Sequence, residues 1–343
     1  MYYYLLPLLL SAFQGTEPAE GTPEGTPEVT SVDEQVAIEA SAITEAVKIY
    51  GNAKEHKLKL YKSKDGRIQF YSDAKSKEAK SVMKLTESML GKLDERLGPA
   101  ELEEGQSAEL LGFLIKKGPA YFSLCNTIAE AAPSQESFMR TSKNNTGFTI
   151  FAPELTAYFH DPSVQDEARI DYSMAHSFVH LELERRYGEV PLWIREGIAT
   201  ALEDMTTGEV WGPWHRNGFV FAISHGDWRG NQTKKQVERL NSLDRIFTYA
   251  ANPYDDHYAH EAFAFAVYAL TIEPKGLAAM LKGMQEMYSE TNPKGGRSML
   301  NLEQTQEIFA ASFEAGFLER FQEWWVEPLR WNEKPKKSKK KKR

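Results

Sequence analysis

Cysteine is almost missing from this chain: there is one, Cys125, in 343 residues. That excludes an intramolecular disulfide framework and any cysteine-rich zinc module. A lone cysteine reads as a small buried hydrophobe rather than a nucleophile. The apolar opening, MYYYLLPLLLSAFQG, holds only about a dozen consecutive apolar positions, too few to span a bilayer as a helix. Its length and position suit the core of an export signal over residues 1–13, with Ala12 as a small residue near the cut, although no Lys or Arg precedes it. Secretion or attachment to the cell envelope is the corresponding expectation. Basic charge is missing from the body of the chain. Lys and Arg number 41 against 49 Asp and Glu, a net −8, and residues 334–343 (KPKKSKKKKR) supply eight of those cations and no acid. Without these eight the remainder carries −16, which argues against a nucleic-acid-binding core. The tail is a solvated like-charge block, expected either to touch an anionic surface or to act only as a solubilising end.

What is present is ordinary for a globular protein: 41% hydrophobic and 26% charged residues, with length for a sizeable core. Residues 14–31 contain TEPAEGTPEGTPEVT, a Pro/Gly/Thr/Glu stretch that cannot bury surface and reads as a linker. One folded unit is expected over 32–331, with an α+β part to about 155 and a helical part over 156–331, followed by the tail at 332–343. A helix is expected from Val32 to about Asn52. HKLKLYK and RIQFYS alternate around Ser63-Lys64-Asp65-Gly66, a hairpin signal. Helical spacing returns over 75–97 and stops at Gly98. LLGFLIKK (110–117) and TGFTIFAPE (146–154) read as strands, separated by a polar segment. Asp161-Pro162 suits a helix start, and helical patterns dominate from there on. The fold class is α+β.

The chemistry concentrates in DEARIDYSMAHSFVHLELERRYG (166–188), expected to be one helix closed by Gly188. His176 and His180 stand four apart, so both imidazoles share a face and can reach one ion. Sixteen residues after His180, VPLWIREGIATALED begins a second helix, and a turn at Gly188-Glu189 can fold Glu196 back as a third ligand. Two His, one Glu and an open position form the ligand set of a catalytic zinc site. With eight histidines in the chain, chance supplies roughly 0.2 pairs at this spacing, so the pair alone is a weak signal.

HSFVH followed by PLWIREGIATALED resembles the peptidase-MA-like gluzincin domains, whose signature is HExxH followed by a P-x-W-x-x-E-G-x-A segment. Pro191, Trp193, Glu196, Gly197 and Ala199 fit that pattern. GFLIKKGPAYFSL (112–124), TGFTIFAPE, HYAHEAFAFAVYAL (257–270) and FEAGFLERFQEWWVEPLRW (313–331) are similar to the family's flanking elements, so the resemblance covers roughly 55–331. It implies a zincin-like fold: a small mixed sheet with a hairpin, then an active-site helix and a mostly helical C-terminal half. It also implies zinc at His176, His180 and Glu196. Tyr258 or His257, with His260 as a weaker candidate, would face the metal as oxyanion stabilisers. These residues also suit a polar helix start capped by Asp255 or Asp256.

Two positions depart from the pattern. Ser177 stands where the family has the glutamate that activates metal-bound water. A neutral hydroxyl cannot take that proton without a base of its own. Thr200, four residues past Glu196, stands where relatives carry an acid that orients a ligating histidine. Among other acids, Glu182 and Glu184 read as solvated surface groups beside Arg185 and Arg186, and Glu261 is the candidate replacement base. Trp211 and Trp214 are candidates for a groove, Trp324 and Trp325 for core. The expectation is a zinc-binding domain that has lost ordinary peptidase catalysis and keeps a cleft for a peptide or protein. The alternatives are a metallohydrolase with another base, or a structural domain without metal.

Overall fold

The computed structural model describes residues 32–101, 109–160, 169–211, 213–216, 219–222, 228, 231–248, 256–291 and 300–326. The expected export signal, linker and basic tail lie outside them. The structure is α+β. Helix α1 (Val32–Asn52) leads into the hairpin β1 (Lys59–Lys62) and β2 (Ile68–Ser72), then α2 (Ser76–Leu97) and β3 (Leu110–Ile115). Helices α3 (Gly118–Ala131) and α4 (Glu136–Ser142) precede the strands β4 (Gly147–Phe151) and β5 (Glu154–Phe159). The sheet order is β1-β2-β3-β5-β4, parallel in the centre and antiparallel at both edges.

The central strand β3, LLGFLI, is buried along its whole length, which is why it reads as an unbroken apolar run. Its side chains alternate between two cores. Leu111, Phe113 and Ile115 pack with Val47 of α1 and Tyr121 and Ile128 of α3. Leu110 and Leu114 join Ile68 and Phe70 under α2 and α5 (Ile170–Tyr187). Each such Leu, Ile or Phe contributes about 1.5–3 kcal/mol by leaving water. Gly112 faces the second core, and a Cβ there would lie 2.6 Å from Phe178 Cζ and 3.2 Å from Met174 Cε, so its bareness lets α5 rest directly on the sheet.

After α5 come α6 (Leu192–Thr207), the strand pair β6 (Pro213–Arg216) and β7 (Phe219–Ala222), α7 (Asn231–Glu238) and α8 (Asp244–Phe247). The chain then forms α9 (Asp256–Ile272), α10 (Pro274–Thr291), α11 (Leu302–Ser312) and α12 (Phe317–Val326). Helix α9 is apolar nearly all round because α2, α6, α7, α8, α10 and α12 surround it. Among the described residues no single helix is long and apolar enough to cross a membrane.

Three sequence expectations change. The single strand expected over 146–154 is a hairpin that turns at Ala152-Pro153, and its second arm β5 runs past the expected boundary at 155. The segment expected to be polar before it is helical in α3 and α4. Tyr121, Leu124, Cys125 and Ile128, spaced i, i+3, i+4, i+7, form the buried stripe of α3. The second half also contains the β6–β7 pair. Cys125 is an inert core residue, as expected, and burial pushes its thiol up to about 12.

Candidate metal centre

Helix α5 is buried on almost every side. Its C-cap Gly188 has φ +67°, a left-handed value that glycine adopts without strain. The chain reverses there, and Pro191 opens α6 as its N-cap, its carbonyl accepting the Arg195 N–H at 3.1 Å. The reversal brings Glu196 against the histidines. His176 Nε2 lies 2.9 Å from Glu196 Oε2, His180 Nε2 lies 3.6 Å from Glu196 Oε1, and the two rings stand 4.5 Å apart. One donor atom from each of the three residues lies within 4.8 Å of the other two, all three residues being buried. Among the described residues no other set of three His, Cys, Asp or Glu converges in this way.

Gly197 explains how α6 is held there. A Cβ at that position would meet the Ala262 carbonyl oxygen at 2.5 Å, so only glycine lets α6 and α9 approach this closely beside Glu196.

The donor set fits a divalent metal by its chemistry: two imidazole nitrogens and one carboxylate. His180 Nε2 is buried and has no hydrogen-bond partner. An unmade hydrogen bond of this kind costs about 1–3 kcal/mol, and a coordinated ion would remove the deficit. Burial, aided by the positive charges of His176 and Arg195, drives His180 well below its usual 6.5 despite Glu196, leaving it neutral and able to coordinate. For His176, burial opposes the charge, but Glu196 on Nε2 and Glu203 on Nδ1 prevail and raise it to about 9. Glu196 is also pushed up by burial, yet the hydrogen bond and charge of His176 and the charge of Arg195 help pull it down to about 2. A metal therefore has to displace a proton from His176 Nε2.

Glu203 is the residue that sequence reading missed. Its Oε1 lies 2.8 Å from His176 Nδ1 and its Oε2 accepts the Trp211 main-chain N–H at 2.6 Å. It follows Glu196 by seven positions, two helical turns, and so shares that residue's face. Thr200, at the position assigned to this orienting role, instead donates to its own helix, to the Glu196 carbonyl at 2.8 Å and the Gly197 carbonyl at 3.1 Å. Ser177 does the same, its hydroxyl donating to the Ser173 carbonyl at 3.0 Å.

Other candidates fall away from the cluster. Glu261 is buried 3.6 Å from Arg245 Nε and is not among the converging ligands. His260 Nδ1 lies 2.6 Å from the Thr233 hydroxyl, and its ring packs tilted against Trp228, centroids 4.5 Å apart. His257 and Tyr258 lie in the first turn of α9, and their side chains are outside the described residues, as is that of Trp214. Trp325 is core, as expected. Glu182, expected at the surface, is fully buried: Arg67 and Arg186 donate to its Oε1 at 2.5 and 2.6 Å, and Arg185 to its Oε2. Helix α5 is covered on the side where a solvated face was expected, and the acid survives burial by pairing with guanidiniums.

No protein-family model matches the chain, and no curated protein matches it.

Proposed function

We propose that this chain is a gluzincin-like domain that holds zinc at His176, His180 and Glu196, has lost ordinary peptidase catalysis, and serves as a binding module for a peptide or protein segment. The observation that carries this reading is the pairing of a converged, buried His-His-Glu donor set with a hydroxyl at residue 177 bonded to its own helix. When bound, zinc would act as a Lewis acid and lower the pKa of a water in the open position. The protein would supply the two imidazoles and the Glu196 carboxylate, and Glu203 would fix the His176 ring. Ser177 offers no proton acceptor, and losing general-base help costs about 10²–10⁴-fold in rate. Ser177 also lacks the base it would need to act as a nucleophile.

The test compares wild type, Ser177→Glu and His180→Ala on a broad peptide library. Wild type should cleave negligibly and Ser177→Glu measurably more, because a carboxylate could take up a proton that a neutral hydroxyl cannot. Robust wild-type cleavage that disappears in His180→Ala would overturn the loss of catalysis and promote a hydrolase with another base.

One observation favours a second reading, a metal-free structural domain. His176 bridges Glu196 and Glu203 at 2.9 and 2.8 Å, which is a complete buried ion triad without any metal. Metal content distinguishes the two.

A further inference from the structure

The carboxylate behind His176 is itself held, and its support extends to a cluster that no sequence motif marks. Glu203 is fully buried, and its second oxygen is engaged by the main-chain N–H of Trp211, in the segment that leaves α6. That segment turns through Gly208, whose φ of +77° is again left-handed. Trp211 is fixed from two further directions. Its indole N–H donates to Glu209 Oε2 at 3.0 Å, and its ring packs 6.0 Å from Tyr172, one turn before His176 on α5. Over both rings lies the Arg169 guanidinium, 4.7 Å from Tyr172 and 5.1 Å from Trp211. The guanidinium is aligned by Asp171, its Nε and Nη2 each donating to a carboxylate oxygen at 3.1 Å.

We propose that Arg169, Tyr172 and Trp211 form a clamp that positions the metal centre, acting through the Trp211 N–H on Glu203 and through Glu203 on His176. This inference rests on the metal reading above. The clamp ties the start of α5 to the exit of α6, the two helices that supply all three ligands. If it loosens, Glu203 loses its main-chain donor and the His176 imidazole loses its fixed orientation. Outer-shell partners of a ligating histidine commonly account for 10–100-fold in metal affinity. Arg169 is partly exposed and lies outside the core, so its removal acts on the centre more than on the fold.

The experiment loads the full chain with cobalt(II), recording the visible ligand-field band and the affinity by chelator competition. Arg169→Gln, which removes the cation from both rings, should weaken cobalt binding about tenfold and reduce or shift the band. Arg169→Lys should restore part of the affinity, and Trp211→Phe, which keeps the main-chain N–H and a ring but loses the indole N–H to Glu209, should lose less than Arg169→Gln. Trp211→Pro removes the N–H donor itself and should match or exceed the Arg169→Gln loss. If Arg169→Gln and Trp211→Pro both keep wild-type affinity and spectrum, the clamp is overturned while the metal reading stands. A wild type that binds no cobalt overturns both.

Discussion

His180 and Glu182 lie two residues apart on α5, and both are buried, yet their surroundings differ in kind. Glu182 accepts from three guanidiniums, Arg67, Arg185 and Arg186, and Asp94 receives Arg67 and Arg186 from the other side. His180 leaves its Nε2 without a hydrogen bond, 3.6 Å from the carboxylate it faces. In one cluster the acid is paired with guanidiniums, and in the other three potential metal ligands converge with one imidazole nitrogen left without a hydrogen bond. A buried structural charge is expected to be paired, because an uncompensated one is expensive. A buried imidazole nitrogen left unpaired beside two other potential ligands is the feature that the metal proposal explains.

The comparison breaks most directly at Glu182. Glu182→Ala removes the acid shared by three arginines, leaving Arg67 and Arg186 with Asp94, and should lower stability by about 3–5 kcal/mol, measured by urea unfolding. The metal-free His180→Ala protein should lose far less. Equal losses would mean that both clusters are structural.

A smaller effect is expected at Gly197. Overpacking from Gly197→Ala against the Ala262 carbonyl should cost about 1–3 kcal/mol. The same substitution should weaken zinc binding, since relief requires α6 to move and Glu196 moves with it. Unchanged stability would show that α6 and α9 separate freely.

The contrast also shows through pH. In metal-stripped protein, His176 titrates at about 9 when folded against 6.5 when unfolded. Its stabilising contribution is therefore full below pH 6.5 and is lost as pH rises to about 9. Glu196, held at about 2, contributes above its unfolded value of 4.5 and loses that contribution as pH falls. Denaturant midpoints of the metal-free protein should therefore fall between pH 6.5 and 9, and His176→Gln should flatten that slope. A slope that persists in His176→Gln would assign the titration to another group.

The convergence of His176, His180 and Glu196 was legible in the sequence because the two histidines stand four apart on one helix and a turn at Gly188 brings the next helix back against it. The hairpin β1–β2, helices α1 and α2 and the α+β class were legible for similar local reasons. Glu203 was not, because its role depends on the crossing of α5 and α6, which spacing does not state, and because Thr200 occupied the position where an orienting acid was sought. Glu182 was misread because nothing in an acid-rich, arginine-rich run tells a covered helix face from a solvated one. Arg67 and Asp94, which complete its network, come from elsewhere in the chain. Helix α3 was missed although its apolar stripe was on the page, because the polar residues around Tyr121, Leu124, Cys125 and Ile128 masked the period.

The central proposal is that the converged side chains of His176, His180 and Glu196 hold a metal. The measurement is zinc content per chain after incubation with excess metal and exhaustive dialysis, made on wild type, His180→Ala and Glu182→Gln. About one zinc in wild type, none in His180→Ala, and wild-type content in whatever folded Glu182→Gln protein is recovered is the expected result. Wild type that retains no zinc would contradict the account and leave His176 as the centre of a buried ion triad.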